Sequence, residues 1–162
     1  MSILANKDTR VVIQGGVAGL NAARRMAEFC YMVKRPLNVE AFVYPPDASK
    51  ANEVPYGNGL VTIPVYKTVA DATAHHPTIN TSLVYVGADR ATAAGMEALA
   101  ALDDDARLAG QRYRLDAARG NLHDMAGERD AARRHFRVAA KGTASLAERN
   151  YLLLKAAELN PQ

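Results

Sequence analysis

Residues Arg10-Val11-Val12-Ile13-Gln14-Gly15-Gly16-Val17-Ala18-Gly19 carry the chemistry that is most directly readable in this chain. A β-branched apolar run ends in a glycine-dense turn, and residues 20–32 then follow a helical pattern. Such a strand-turn-helix leaves backbone N–H groups free at the start of the helix, where a phosphate can sit. Glycine allows both the tight turn and the close approach. Counted as G-x-G-x-x-G, the first position is Gln14, and Gly16 and Gly19 match the other two. Units of this kind also occur where nothing binds, so the turn alone leaves a nucleotide-like ligand and a purely structural role both open.

The remaining reactive side chains point elsewhere. His75 and His76 precede Pro77 at the expected end of a helix and read as cap residues, while His123 and His135 fall in the helical tail. There is no Ser/His/Asp grouping, no carboxylate pair beside the glycine turn and no metal-ligand spacing, so no catalytic or metal residue is assigned. The single cysteine, Cys30, lies between Phe29 and Tyr31 and reads as a buried structural thiol. Arg129, Arg133, Arg134 and Arg137 share one helix with Glu128 and Asp130 and have no aromatic platform. That pattern fits a solvated charged face better than a nucleic-acid surface.

The elements that must position the turn divide into two kinds. Of 162 residues, 49% are hydrophobic, enough for a core, and the formal net charge of +3 is too small to imply a polyanionic partner. No apolar run approaches the roughly 20 residues of a membrane span, and no signal-peptide pattern opens the chain. A cytoplasmic protein with no membrane association is the expectation. Six of the seven prolines precede residue 100, and Val138 is the only β-branched apolar residue beyond it. Residues 1–100 therefore read as α/β and residues 101–162 as helical.

In the first part, strands are expected at residues 10–14, 39–44, 60–65 and 82–86, with helices at 20–32, 69–75 and from 92 onward. That alternation predicts a Rossmann-like parallel sheet. The continuous apolar runs at residues 11–13 and 83–86 predict central strands covered on both faces. Pro45-Pro46, Pro55 and Gly57-Asn58-Gly59 predict a loop over residues 47–59. In the tail, Asp103-Asp104-Asp105 suits a helix start. Leu108, Tyr113, Ala117, Ala118 and Leu122 form one apolar stripe, and Ala131, Ala132, Phe136, Val138, Ala139 and Ala140 a second. After Gly142-Thr143, Ser145 resembles an N-cap with Glu148 completing a capping box. Leu146, Tyr151, Leu152, Leu153, Leu154, Ala156, Ala157 and Leu159 follow on a last helix, giving a helical hairpin plus one.

Four blocks of residues 1–100 resemble the N-terminal CoA-binding domain of ATP-citrate lyase and the succinyl-CoA synthetase α subunit. They are Met1-Ser2-Ile3-Leu4 with Lys7 to Gly15, Ala41-Phe42-Val43-Tyr44-Pro45, Ile63 to Ala72 with His75-His76-Pro77, and the strand Val84-Tyr85-Val86. The resemblance implies a coenzyme A site over the C-terminal ends of the strands. Carried across by position, it assigns Gln14, Gly15, Gly16, Val17, Ala18 and Gly19 to the phosphate-facing turn. It adds Tyr44, Pro45 and Pro46 after the second strand, and Val86, Gly87 and Ala88 after the fourth. Val17 and Ala18 offer no hydroxyl, so phosphate contacts are expected from backbone amides at residues 15–19 or from a base such as Lys50. The family's phosphorylated histidine and later domains do not follow, so the chain is expected to bind coenzyme A or a related adenine nucleotide without turnover.

Residues 103–160 resemble the tetratricopeptide-like C-terminal extension of extracytoplasmic-function sigma factors. The matching residues include Leu108-Ala109-Gly110, Ala117-Ala118-Arg119, Gly127, Ala131-Ala132, Phe136-Arg137, Ala139-Ala140 and Ala147-Glu148-Arg149. Two resemblances meeting at residues 96–102 read as a chimera. A single helical repeat implies a homo-oligomer or a protein partner docked on the tail. The alternative to ligand binding is a structural or interaction protein with no retained site.

Overall fold

The computed structural model of the protein describes residues 7–103 and 106–159. It divides into two compact units, Met1–Glu97 and Ala98–Gln162. The first is a mixed α/β unit. Its elements are β1 (Val11–Gln14), α1 (Val17–Met32), β2 (Val39–Val43), β3 (Ala51–Tyr56), β4 (Gly59–Tyr66), α2 (Val69–His75), β5 (Thr81–Val84) and α3 (Ala88–Ala100), whose last turn passes the unit boundary. The sheet runs β3-β4-β2-β1-β5, with β1 parallel to β2 and β5, β2 parallel to β4, and β3 antiparallel to β4.

β1 is buried over its whole length, as a β-branched central strand should be. On one face Val11, Ile13, Val39, Phe42, Ile63 and Val65 pack with Ala23 and Ala27 of α1. On the other, Val12, Ala41 and Val43 meet Val69 and Ala72 of α2. Alanines at those helix positions allow close approach to the sheet. α2 begins on Thr68, whose hydroxyl accepts the Asp71 amide at 3.0 Å.

Two expectations for this unit are corrected. The segment 47–59 is not simply a loop: it contains β3, which forms a hairpin with β4 across Gly57-Asn58, with Tyr56 opposite Gly59 and Gly57 at φ +62°. Pro55 and the polar Asn52 and Glu53 concealed a strand of which only Val54 is buried, and an edge position tolerates that composition. The run at residues 83–86 is not a doubly covered central strand. β5 lies at the other edge of the sheet, and Val84 and Tyr85 are 39% and 42% exposed.

The second unit holds a 3₁₀ turn (Ala106–Gln111), α4 (Arg112–Met125), α5 (Arg129–Gly142) and α6 (Leu146–Glu158). Of the expected helix start, Asp104 and Asp105 lie outside the described residues, and the first α-helix here begins at Arg112. α4 ends on Gly127 (φ +77°), where the Gly127 and Glu128 amides bond the carbonyls of Asp124 and His123, both at 2.9 Å. Phe136 is fully buried against Gly120, where a Cβ would stand 2.7 Å from the Phe136 ring. The core is Ala132, Phe136, Ala139, Ala140, Leu152, Ala156 and Leu159. Val138, Leu146, Tyr151, Leu153 and Leu154, expected in apolar stripes, are exposed, and α4 buries Leu115, which its expected stripe omitted.

Candidate functional site

The turn between β1 and α1 is built from its backbone. Gly15 lies at φ +146°, and a Cβ there would run into the carbonyl of Tyr85. Its amide is bonded to the Val43 carbonyl at 3.0 Å, so Gly15 offers no free donor, contrary to the expectation for residues 15–19. Gly16 is the N-cap of α1, with no side-chain cap and no acidic residue in the first turn. The first intrahelical bond joins the Leu20 amide to the Gly16 carbonyl at 3.0 Å. Among the described residues, the amides of Gly16, Val17, Ala18 and Gly19 consequently have no acceptor. They form the positive end of a sixteen-residue helix.

Three of these four residues, Gly16, Val17 and Ala18, line an open cleft of about 480 Å³ together with Tyr44, Val84, Tyr85, Val86, Gly87 and Arg90. Three separated segments thus converge at the C-terminal edge of the sheet, the turn where open α/β sheets place ligands. The Tyr44 ring crosses Gly16 so closely that a Cβ on Gly16 would stand 3.0 Å from its Cζ. Arg90 contributes a cation to the lining; the neighbouring Asp89 carboxylate, which lies against Gly87 at the rim, is 3.9 Å from its Nε. At that distance, and well exposed, the pair leaves Arg90 available to an anion.

Sequence expectation and structure part at several residues. Gln14 is buried and its Nε2 donates to Ser82 Oγ at 3.1 Å and the Ala94 carbonyl at 2.9 Å, so its side chain ties β1 to β5 and α3. Pro45, Pro46 and Ala88 are not among the lining residues; the two prolines form a 3₁₀ turn beyond Tyr44. Gly19 is buried, where a Cβ would stand 2.8 Å from Ile13 Cγ2, and it is not among the lining residues. Lys50 is paired with Asp47 at 2.6 Å and does not line the cleft. Arg90 was missed because α3 was expected to begin at residue 92. The available signal was Gly87-Ala88-Asp89-Arg90, a turn and a charged first helical turn directly after a strand.

The histidines belong to other networks. His76 Nε2 lies 3.0 Å from the Tyr66 hydroxyl and its Nδ1 3.8 Å from Glu40, which also takes Arg10 at 3.3 Å and the Thr78 hydroxyl at 2.6 Å. His123 and His135 stack at 5.2 Å, with Nδ1 of each on a carboxylate, Glu128 and Asp116 respectively. Among the described residues no group of three or more His, Cys, Asp or Glu side chains is arranged to hold a metal ion, and no helix is long and apolar enough to cross a membrane.

No family model matches the chain. The "Probable ATP-citrate synthase subunit 1" of Schizosaccharomyces pombe is 28% identical over 95 residues, which is 58% of this chain and 15% of that protein. The structure of ATP citrate lyase from Methanothrix soehngenii in complex with citrate and coenzyme A superposes with a TM-score of 0.58 at 23% identity. It covers 74% of this chain and 20% of that one. A variant of the Methanosaeta concilii ATP citrate lyase, in complex with (3S)-citryl-CoA, gives the same values. The chain thus spans a fifth or less of the proteins it resembles, and shares with them sequence similarity and an α/β fold.

Proposed function

We propose that this chain is a binding module for coenzyme A or a related adenine nucleotide, held with its diphosphate against the start of α1. The observation that carries this reading is the run of amides at residues 16–19 without acceptors among the described residues, three of them on residues that line a cleft containing Arg90. Similarity to ATP-citrate lyases solved with coenzyme A or citryl-CoA supports the choice of ligand. Gly16, Val17 and Ala18 would hold the diphosphate through backbone N–H groups, with Arg90 neutralising its charge. Tyr44, Val86 and Gly87 would flank the apolar pantetheine. Bound coenzyme A supplies a thiol for acyl transfer. In the larger relatives the implied reaction is ATP-driven cleavage of citrate with coenzyme A to acetyl-CoA and oxaloacetate, and we assign no turnover to this chain alone.

A second reading, a structural or interaction module with a tetratricopeptide-like tail, is favoured by one specific observation. Gly15, Gly16 and Gly19 each have a neighbour that a Cβ would crowd, so packing alone accounts for all three. Calorimetric titration of coenzyme A into the full chain decides between the readings. Saturable heat, abolished in Gly16→Val and weakened about tenfold in Arg90→Ala, is expected from the first. No heat at millimolar coenzyme A, from protein shown to be folded, would leave the second.

A further inference from the structure

We propose that the opposite, N-terminal edge of the sheet carries a second binding site, for a small amphipathic carboxylate of the medium-chain alkanoate type. A pocket of about 520 Å³ opens there beneath the C-terminal half of α1, within the usual size range of small-molecule sites. Met26, Phe29, Cys30 and Pro36 supply an apolar wall, and Lys7 and Arg35 supply positive charge.

α1 ends in a backbone motif centred on Lys34 (φ +55°), in which the amides of Val33, Lys34 and Arg35 bond the carbonyls of Phe29, Tyr31 and Cys30 at 3.1, 3.0 and 2.8 Å. The Arg35 guanidinium is therefore not needed as a helix cap. Among the described residues, neither it nor the Lys7 ammonium has a carboxylate partner. A third cation at the pocket, Arg10, is by contrast occupied by Glu40 at 3.3 Å. No aspartate or glutamate lines the pocket.

Two cations without a carboxylate partner among the described residues, beside an apolar wall, match a ligand with one anionic end and a hydrocarbon body. An inorganic anion would leave the wall wetted, and a neutral hydrocarbon would leave the charges unused. This site shares no residue with the coenzyme A cleft and does not rest on it.

The test is titration of the full chain with straight-chain alkanoates from acetate to decanoate, each below its micelle concentration. Binding is followed by calorimetry and by the rate at which Cys30, the one cysteine, reacts with a thiol reagent. Affinity should rise about fourfold per methylene until the pocket is filled, then level off. Saturating decanoate should slow Cys30 modification. Arg35→Ala and Lys7→Ala should each weaken decanoate about tenfold, decanol should bind about tenfold or more weakly, and Arg24→Ala, outside both pockets, should leave decanoate affinity as it is. The proposal is overturned if decanoate gives no saturable signal, or if inorganic phosphate binds as tightly. It is equally overturned if the folded Lys7→Ala/Arg35→Ala double variant binds decanoate like the wild type.

Discussion

At the start of α6 the Ser145 hydroxyl accepts the Glu148 amide at 3.3 Å, and the Thr143 hydroxyl accepts the Ser145 amide at 3.1 Å while donating to Glu148 Oε2 at 2.6 Å. At the start of α1, Gly16 has no side chain to offer, and four successive amides lack an acceptor among the described residues. Every helix begins with N–H groups that its own carbonyls cannot reach. α6 answers the amides of Ser145 and Glu148 with hydroxyls of its own chain, as α2 answers that of Asp71 through Thr68. α1 leaves its own to whatever enters the cleft. The difference follows from position: the α1 turn threads between the Tyr85 carbonyl and the Tyr44 ring, where residue 15 has no room for a Cβ and residue 16 very little. The same crowding that leaves residue 16 little room for a side chain thus leaves the start of α1 without a side-chain cap.

The comparison breaks first at Gly15. Gly15→Ala combines a backbone at φ +146° with a Cβ directed into the Tyr85 carbonyl, and should cost about 3 kcal/mol or more in urea denaturation. A loss below about 1 kcal/mol would mean that the turn relaxes and that packing does not impose the glycine. Gly16→Asp is subtler, because it gives α1 a start like that of α6. The carboxylate would satisfy the free amides, and the cap gain would be offset by crowding against Tyr44, so stability should change by only a few tenths of a kcal/mol or so. Coenzyme A, competing for the same donors, should bind at least about tenfold more weakly. Unchanged affinity in that variant would remove the α1 amides from the ligand site.

The α1 and α6 starts were both legible as sequence, because each is local. Strand, glycines and helix are contiguous in residues 10–32, and Ser145 with Glu148 is a four-residue signature. α2 was legible for the same reason. β3 was not, since its strand character comes from pairing with β4 and from Val54 packing under α1 rather than from its own composition. Arg90 and the burial of Gln14 were invisible because both depend on where α3 lies relative to β1 and β5. On α6, Leu152 and Leu153 have the same propensity, and only the placement of α5 buries one and exposes the other.

Ser145→Ala measures the closed member of the pair. Losing the cap should lower the stability of the helical unit by about 1 kcal/mol, read as a shifted urea midpoint with an unchanged slope. A change below about 0.3 kcal/mol would show that Thr143 and the last turn of α5 hold α6 without the serine.

The smallest effect concerns Glu148 and is the sharpest chemically. Its carboxyl is held below the ordinary value of about 4.5, chiefly by the Thr143 hydroxyl, with the Tyr113 hydroxyl and the Arg114 charge acting in the same direction and desolvation acting against them. A carboxyl lowered in the folded state contributes stability that is present above its ordinary value and is lost as pH falls through the folded one. The wild type should therefore weaken at α6 only as the pH drops below about 4.5. In Thr143→Val, NMR titration should find Glu148 shifted back up toward that value, with a smaller acid-dependent loss of stability. Titration at the same pH in both proteins would remove Thr143 as the cause. The same readout applied to Gly16→Asp closes the comparison. A carboxylate facing several unpartnered amides must also titrate low, so an Asp at residue 16 with an ordinary titration would mean that those amides are not donors to the cleft.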